Sequence, residues 1–225
     1  MSPGAVAAPR RGGLVAEGRT KRWYETDRLE TLLVEFNDPA AAQISTKLFQ
    51  VLESKGVPTH FEQSAGERAL LVKRLAMIPL IVTVRNRMAG PMARALGLEP
   101  GTALAAPTYE LHRKSSALGN PLVNEHHALA LRWATEDELR AIRERSVSAA
   151  LVLTKFFQER EFELVDVSFE FGRFKGKVLL GDELSPETMR LWPQGTKPQD
   201  PDLFSPESQG AAALVRQIAS RVTGT

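Results

Sequence analysis

Apolar and polar residues alternate most regularly in the stretch Leu164-Val-Asp-Val-Ser-Phe-Glu-Phe-Gly172. Val165, Val167, Phe169 and Phe171 share one face, and Asp166, Ser168 and Glu170 share the other. That pattern predicts a strand with one buried side. A turn from Gly172 to Gly176 and a second strand, Lys177 to Leu180, complete a hairpin that delivers Asp182 and Glu183.

Other elements follow from the same reading. Leu14 to Tyr24 alternates enough for a strand pair, and Thr31 to Phe36 is a strand ended by Asn37-Asp38-Pro39. Ala40 to Ser54 carries an apolar stripe (Ile44, Leu48, Val51, Leu52) that predicts a helix stopped at Gly56. Strands are expected at His60–Gln63, Ala69–Leu75, Pro79–Val84 and Thr108–Lys114, with a short helix from Ala89 to Leu96. Thr135 and Glu138 form a capping box for a long helix with a stripe through Leu139, Ile142, Val147, Leu151 and Phe156. Gly210 to Val222 predicts a final amphipathic helix. Strands early and long helices later give an α+β fold of two lobes. The expected division is a tail over 1–13, a sheet lobe over 14–85 and an α+β lobe over 86–225, hinged near Arg85 to Gly90.

Composition narrows the function. The 225 residues suffice for a substantial core, and 43% hydrophobic with 25% charged residues is ordinary for a soluble globular protein. No run approaches the roughly 20 apolar residues of a membrane helix, and Met1 to Gly13 lacks the apolar core of a signal peptide. The chain has no cysteine, which excludes disulfides, thiolate metal sites and a cysteine nucleophile. A cytoplasmic protein with no membrane partner is expected. The formal charge is only +2, and the single basic cluster is Arg10, Arg11, Arg19, Lys21 and Arg22. A small anionic ligand therefore fits better than nucleic acid.

Candidate chemistry centres on the hairpin. Glu170 and Asp182 on paired strands, with Arg190 beyond, suit a hard cation beside an anionic ligand. The alternative is a polar face that only meets water. His126 and His127 point apart as neighbours and read as surface residues. His60 reads as packed, Phe156, Phe157 and Leu153 as core, Trp192 as packing that positions Arg190, and Ser185 as no nucleophile.

Several motifs occur together in one order: Glu17-Gly-Arg-Thr-Lys21 with Tyr24, Gly56-Val-Pro-Thr-His60, Ile78-Pro-Leu80 with Val84-Arg-Asn-Arg87, Gly97-Leu-Glu-Pro-Gly101, Pro121-Leu-Val-Asn-Glu125, Leu164-Val-Asp166 with Glu170-Phe-Gly172, and Gly181-Asp-Glu-Leu-Ser-Pro186 with Arg190-Leu-Trp192. The set resembles the phosphoribosylaminoimidazole-succinocarboxamide synthases (SAICAR synthetases). The resemblance implies a two-lobed fold with ATP between an N-terminal antiparallel sheet lobe and a larger α+β lobe. It also implies an ATP-dependent ligase in which phosphorylation of an imidazole ribonucleotide's carboxylate precedes attack by the aspartate amine. By the same resemblance Glu170 and Asp182 hold Mg2+, Gly18, Arg19 and Lys21 meet ATP, and Arg85 and Arg190 act as the catalytic and substrate-binding arginines. A homo-oligomer, a dimer, is expected.

The chain also departs from the family. An acidic loop after Phe36 is missing, so Asn37 to Gln43 runs straight into the helix. Pro91 replaces a serine, Ser168 a lysine, Ile81 a glutamate and Arg19 a lysine, and Asp200-Pro-Asp202 lacks the family's central lysine. The favoured expectation is a remodelled ligase acting on a related nucleotide with aspartate or another amine, as in specialised nucleoside biosynthesis. Two readings stand beside it: the housekeeping enzyme of purine biosynthesis, and a nucleotide-binding protein without turnover.

Overall fold

The computed structural model describes residues 9–195 and 211–224; Asp200-Pro-Asp202 and Gly210 lie outside them. Two antiparallel sheets organise the chain. The first contains β1 (Arg11–Glu17), β2 (Lys21–Thr26), β3 (Thr31–Phe36), β4 (Phe61–Ser64) and β5 (Ala69–Lys73), in the order β1-β2-β3-β5-β4. The second contains β6 (Ala76–Met88), β7 (Thr102–Arg113), β8 (Leu122–Val123), β9 (Phe162–Phe174), β10 (Lys177–Gly181) and β11 (Met189–Pro193). Its order is β10-β9-β6-β7-β8, and β11 also pairs with β9. β10 takes the Glu170–Phe174 part of β9, while β11 takes the Phe162–Val167 part. Asp182 and Arg190 are thereby brought to one edge of the strand that carries Asp166 and Glu170.

The chain passes from one sheet to the other through Arg74 and Leu75 alone. Arg85 and Gly90, expected at the hinge, instead lie within β6 and at the start of α2 (Gly90–Ala95). Leu75 is pressed against the hairpin. A Cβ on Gly172 would stand 2.6 Å from Leu75 Cβ, and one on Gly181 would stand 2.8 Å from Leu75 Cδ1. Both strands need glycine at these points so that the connection can approach their backbones.

α1 (Pro39–Ser54) begins immediately after β3. The Asp38 side chain accepts from the Ala40 N–H at 2.9 Å, and Pro39 suits the first turn, where no intrahelical donor is needed. Ile44, Leu48 and Leu52 are buried on its inner face. α5 (Ala211–Thr223) packs across α1 through Ile218 and Val222, both buried.

α4 (Glu136–Gln158) lies against the second sheet and has the expected cap: Thr135 Oγ1 accepts from the Glu138 N–H, and Glu138 accepts from the Thr135 N–H. Its stripe differs from the expected one. Leu139, Ile142, Ser146, Ala149, Ala150, Leu153, Phe156 and Phe157 are buried, whereas Val147 and Leu151 are exposed at 39% and 61%. At about 100° per residue, a one-position offset rotates a side chain off the buried arc. Small residues fill the arc instead and let the helix approach the sheet.

The hairpin strands alternate as expected from Val167 to Phe171, but a bulge opposite Arg190–Leu191 takes Val165 off that face into a separate cluster with Ala89 and Trp192, and β9 runs on to Phe174. The turn is the two-residue Lys175-Gly176, with φ of 49° and 75°. Two positive φ values match the turn twist to that of the strands. α3 (Glu125–Ala130) and β11 were not expected; α3 is capped by Asn124, whose side chain accepts from the His127 N–H at 3.0 Å. The core contains Phe49, Phe157, Phe162, Phe169 and Phe171, fully buried. Each contributes about 1.5–3 kcal/mol on burial.

Candidate active site

Neighbouring strands of the second sheet set their side chains in register rows, with polar ones on the face away from α4. Glu170, Ile81 and His112 form one row, and Gly181 pairs with Glu170 at its end. The next row is Ser168, Thr83 and Glu110, and the next is Asp166, Arg85 and Thr108, with Arg190 opposite Asp166. The opposite face carries Val82, Val84, Val167 and Phe169, all buried.

At the Glu170 end, acids and lysines interlock. Lys114 Nζ donates to Glu170 Oε2. Lys21, from β2 of the other sheet, donates to Asp182 Oδ2 at 3.1 Å and to Glu183 Oε1. Burial works against the Lys21 charge, but Asp182 and Glu183 more than offset it and raise its pKa. Burial first, and then the Asp182 charge, push the Glu170 carboxyl above its ordinary range. Thr20 Oγ1 and Ser185 Oγ also donate to Glu183, at 2.9 and 2.6 Å. Ser45 of α1 ties down the same loop, donating to Leu184 O at 3.0 Å and accepting from the Leu184 N–H. Asp182 itself sits at φ 61°, one residue past β10.

At the other end, two arginines share one oxygen. Arg85 Nη1 donates to Asp166 Oδ2 at 2.8 Å, and Arg190 Nη1 donates to the same atom. Arg85 Nε donates to Glu110 Oε1 at 2.8 Å. Burial pushes the Asp166 carboxyl up, against the pull of Arg190 and Arg85. Burial likewise opposes ionisation of Glu110, yet hydrogen bonds from His112 and Arg85 bring its pKa below the ordinary range. Gly90 has φ 63°, and a Cβ there would stand 2.8 Å from Arg190 Nη2.

Between the sheets lies a cavity of about 290 Å3. Val15, Trp23, Leu32, Val72, Leu75 and Met77 supply apolar walls, and Lys114 and Asp182 lie at its polar end. His60 adjoins it, buried with its ring 5.0 Å from Phe49 and its pKa pushed down to about 3 by burial, with Lys73 and Lys21 adding to the shift.

The expected site residues therefore fall into two groups. Glu170, Asp182 and Lys21 cluster with Lys114, of which Asp182 and Lys114 line the cavity, and Arg85 and Arg190 converge on Asp166. Gly18 closes the β1–β2 turn through its N–H to Lys21 O at 2.9 Å, whereas Arg19 is exposed and pairs with Glu187. Lys114, Asp166, Glu110 and His112 were not singled out. Their signal was present: 108, 110, 112 and 114 are the polar alternates of a predicted strand, on the same face as Arg85.

Comparison with known proteins identifies the arrangement. The family model for SAICAR synthetase matches residues 39–205. The phosphoribosylaminoimidazole-succinocarboxamide synthase of Clostridium kluyveri is 36% identical over 232 residues, covering 95% of this chain and 99% of its own. That of Desulfitobacterium hafniense (strain Y51) is 41% identical over 212 residues, covering 86% and 89%. Among solved structures, the synthase from Ehrlichia chaffeensis aligns with a TM-score of 0.89 at 28% identity, covering 94% of this chain and 99% of its own. A SAICAR synthetase in complex with ADP aligns with a TM-score of 0.87 at 33% identity, covering 93% and 97%.

Two sheets with a cavity between them and these likenesses define an ATP-dependent ligase that forms carbon–nitrogen bonds. Its fold is the two-lobed α+β architecture expected from the motifs. The chain belongs to the SAICAR synthetase family.

The alignment with the C. kluyveri protein is 232 residues long yet uses 95% of a 225-residue chain, so this chain is the shorter within it. The family match begins at Pro39, directly after the abrupt β3–α1 turn. No helix among the described residues is long and apolar enough to cross a membrane.

Proposed function

We propose that this chain is the succinocarboxamide synthase of purine biosynthesis, joining aspartate to the carboxylate of an aminoimidazole ribonucleotide with ATP. This replaces the expectation of a remodelled ligase. Relatives carrying the synthase name align over nearly the whole chain. The lysine complement is also fuller than the substitutions suggested, because Lys114 stands with Lys21 at the carboxylates. Ser168, in place of a lysine, is absorbed into a 2.9 Å hydroxyl pair with Thr83.

The observation that carries the proposal is the division of the cleft floor, with lysines and acids beside the cavity and two arginines on one aspartate a few residues along the same strands. The adenine would lie between the apolar walls, with its phosphates toward Lys21 and Lys114. Those lysines now neutralise Glu170 and Asp182, and an incoming triphosphate would draw them off. Glu170 and Asp182 offer hard oxygen ligands suited to magnesium, which is held by one or two carboxylates with phosphates and water completing its shell. No third His, Asp or Glu joins them in a metal-binding group among the described residues. Magnesium, when bound, would neutralise charge developing on the phosphates.

Arg85 and Arg190 present planar guanidinium groups suited to the ribonucleotide's phosphate or carboxylate. In the reaction, a carboxylate oxygen bonds to the terminal phosphorus and ADP departs. The amine then forms the C–N bond, phosphate leaves with the C–O electrons, and the ammonium protons pass to base or solvent. Burial around Asp166 and Glu170 limits water at the activated carboxylate.

The test is a product-resolved mass-spectrometric assay with ATP, magnesium and the aminoimidazole carboxylate ribonucleotide, with and without aspartate. Formation of the succinocarboxamide, lost in Glu170→Ala and Asp182→Ala, is expected. ATP binding without ribonucleotide-stimulated ADP release would refute the proposal. ADP release that continues undiminished when aspartate is omitted would instead point to a changed amine partner.

A further inference from the structure

Charges alternate in sign along five residues of the cleft floor. His112 Nε2 is 3.4 Å from Glu110 Oε2, Glu110 Oε1 accepts from Arg85 Nε at 2.8 Å, and Arg85 and Arg190 meet on Asp166 Oδ2. Arg85, Arg190, Glu110 and Asp166 together sum to zero formal charge. His112 therefore decides whether this floor is neutral or carries a net positive charge.

The two ring nitrogens of His112 each have a polar neighbour. Nδ1 lies 3.0 Å from the carbonyl oxygen of Asn120, so both ring nitrogens face acceptors. A neutral imidazole can donate to only one of them, whereas the protonated ring can donate to both. Glu110 is the acid beside it. On β6 and β8 its register partners are Ile81 and Leu122, both uncharged. Glu170 lies beyond Ile81 in the same row and is paired with Lys114. Arg113, next in the chain, donates to Pro79 O at 2.9 Å.

We propose that His112 is the proton-linked positioning residue of the anion clamp, acting through Glu110 on Arg85. This rests on the reading of Arg85 and Arg190 as the ribonucleotide's anion-binding pair. An anion that draws Arg85 toward itself weakens the hold of Arg85 on Glu110, and the carboxylate then needs another cation. Protonation of His112 provides it, so anion binding is accompanied by proton uptake. Linkage requires the converse, that affinity falls as the pH rises through the range in which histidine loses its charge.

The experiment titrates the aminoimidazole carboxylate ribonucleotide into the full chain at pH 6.5 and 8.0, calorimetrically, in two buffers of different ionisation enthalpy. Wild type is compared with His112→Gln and His112→Lys. In wild type the expected result is net proton uptake and about a tenfold loss of affinity at the higher pH, as one unit charge nearby would give. The glutamine variant binds weakly at both pH values without uptake, and the lysine variant binds tightly at both. The ligand phosphate's own ionisation is common to all three proteins and cancels in the comparison. Unchanged ATP affinity in the variants shows that they are folded. Uptake and pH dependence in His112→Gln equal to those of wild type would overturn the inference alone. A wild type that binds ATP but no ribonucleotide would overturn the functional reading and this one together.

Discussion

Replacing Gly90 by alanine separates what the clamp does from what the fold needs. Gly90 has φ 63°, and the added Cβ would stand 2.8 Å from Arg190 Nη2 and 3.3 Å from Cζ and Nη1. A non-glycine residue at such a left-handed position costs about 1 kcal/mol. The steric conflict falls on the far end of a long side chain, which moves rather than breaking the backbone. Stability should therefore drop by about 1 kcal/mol for the backbone, with the loss of the Arg190–Asp166 contact, about 1.5–3 kcal/mol, added to it. The guanidinium, however, must leave the seat in which Nη1 donates to Asp166. Loss of a charge-assisted contact of this kind is worth about 1.5–3 kcal/mol, or about 10- to 150-fold in affinity. Calorimetry should show a loss of that order for the aminoimidazole carboxylate ribonucleotide, with ATP binding unchanged, and a denaturant melt should show the stability change. Ribonucleotide affinity equal to wild type in a folded Gly90→Ala protein would refute the role given to Arg190.

Other outcomes follow from the same geometry. Glu170→Gln should abolish turnover yet raise the denaturation midpoint at pH 7.5. The wild-type carboxyl has a raised folded pKa, so its charge destabilises the fold above that pKa, and the gain should vanish by about pH 4, the ordinary carboxylate value. A midpoint that does not rise at pH 7.5 counts against burial and Asp182 as the causes of that shift. Lys114→Met should weaken ATP binding by about tenfold or more through loss of one phosphate-facing cation, read by equilibrium binding of the nucleotide. His60, with its folded pKa near 3, takes up a proton on unfolding once the pH falls below the ordinary histidine value. Stability should therefore decline from about pH 6.5 down to pH 3, with a slope approaching 1.4 kcal/mol per unit from this residue alone. Replacing His60 by leucine should remove that slope from urea melts taken across the range.

Much of the fold was legible because local chemistry and burial agree. The Thr135–Glu138 box, the Asp38-Pro39 start and the period-two run of β9 each specify their element without help from distant residues. Val147 and Leu151 misled because hydrophobicity on a helix does not say which arc faces the sheet. The true arc uses Ser146, Ala149 and Ala150, which are chosen for closeness. β11 was missed because its few residues after Pro186 are a strand only by pairing with β9. Among the candidate site residues, Glu170, Asp182 and Arg190 stand out in the sequence through strand alternation and their flanking motifs. Asp166 and Glu110 were not singled out, since their importance lies in holding arginines that are distant in sequence. A polar residue on a strand face shows its function only when the register reveals what stands beside it.

The contact of Leu75 with Gly172 and Gly181 has a mechanical meaning. Leu75 is at once the joint between the two sheets, a wall of the cavity between them, and the piece wedged onto the strands that carry Glu170 and Asp182. A base pressing on that wall would push on the same lever that bears on the carboxylates some residues away. A group filling the cavity against Leu75 therefore also bears on the backbone that positions the two acids. Widening either glycine would loosen that gearing before it touched any group that contacts a phosphate.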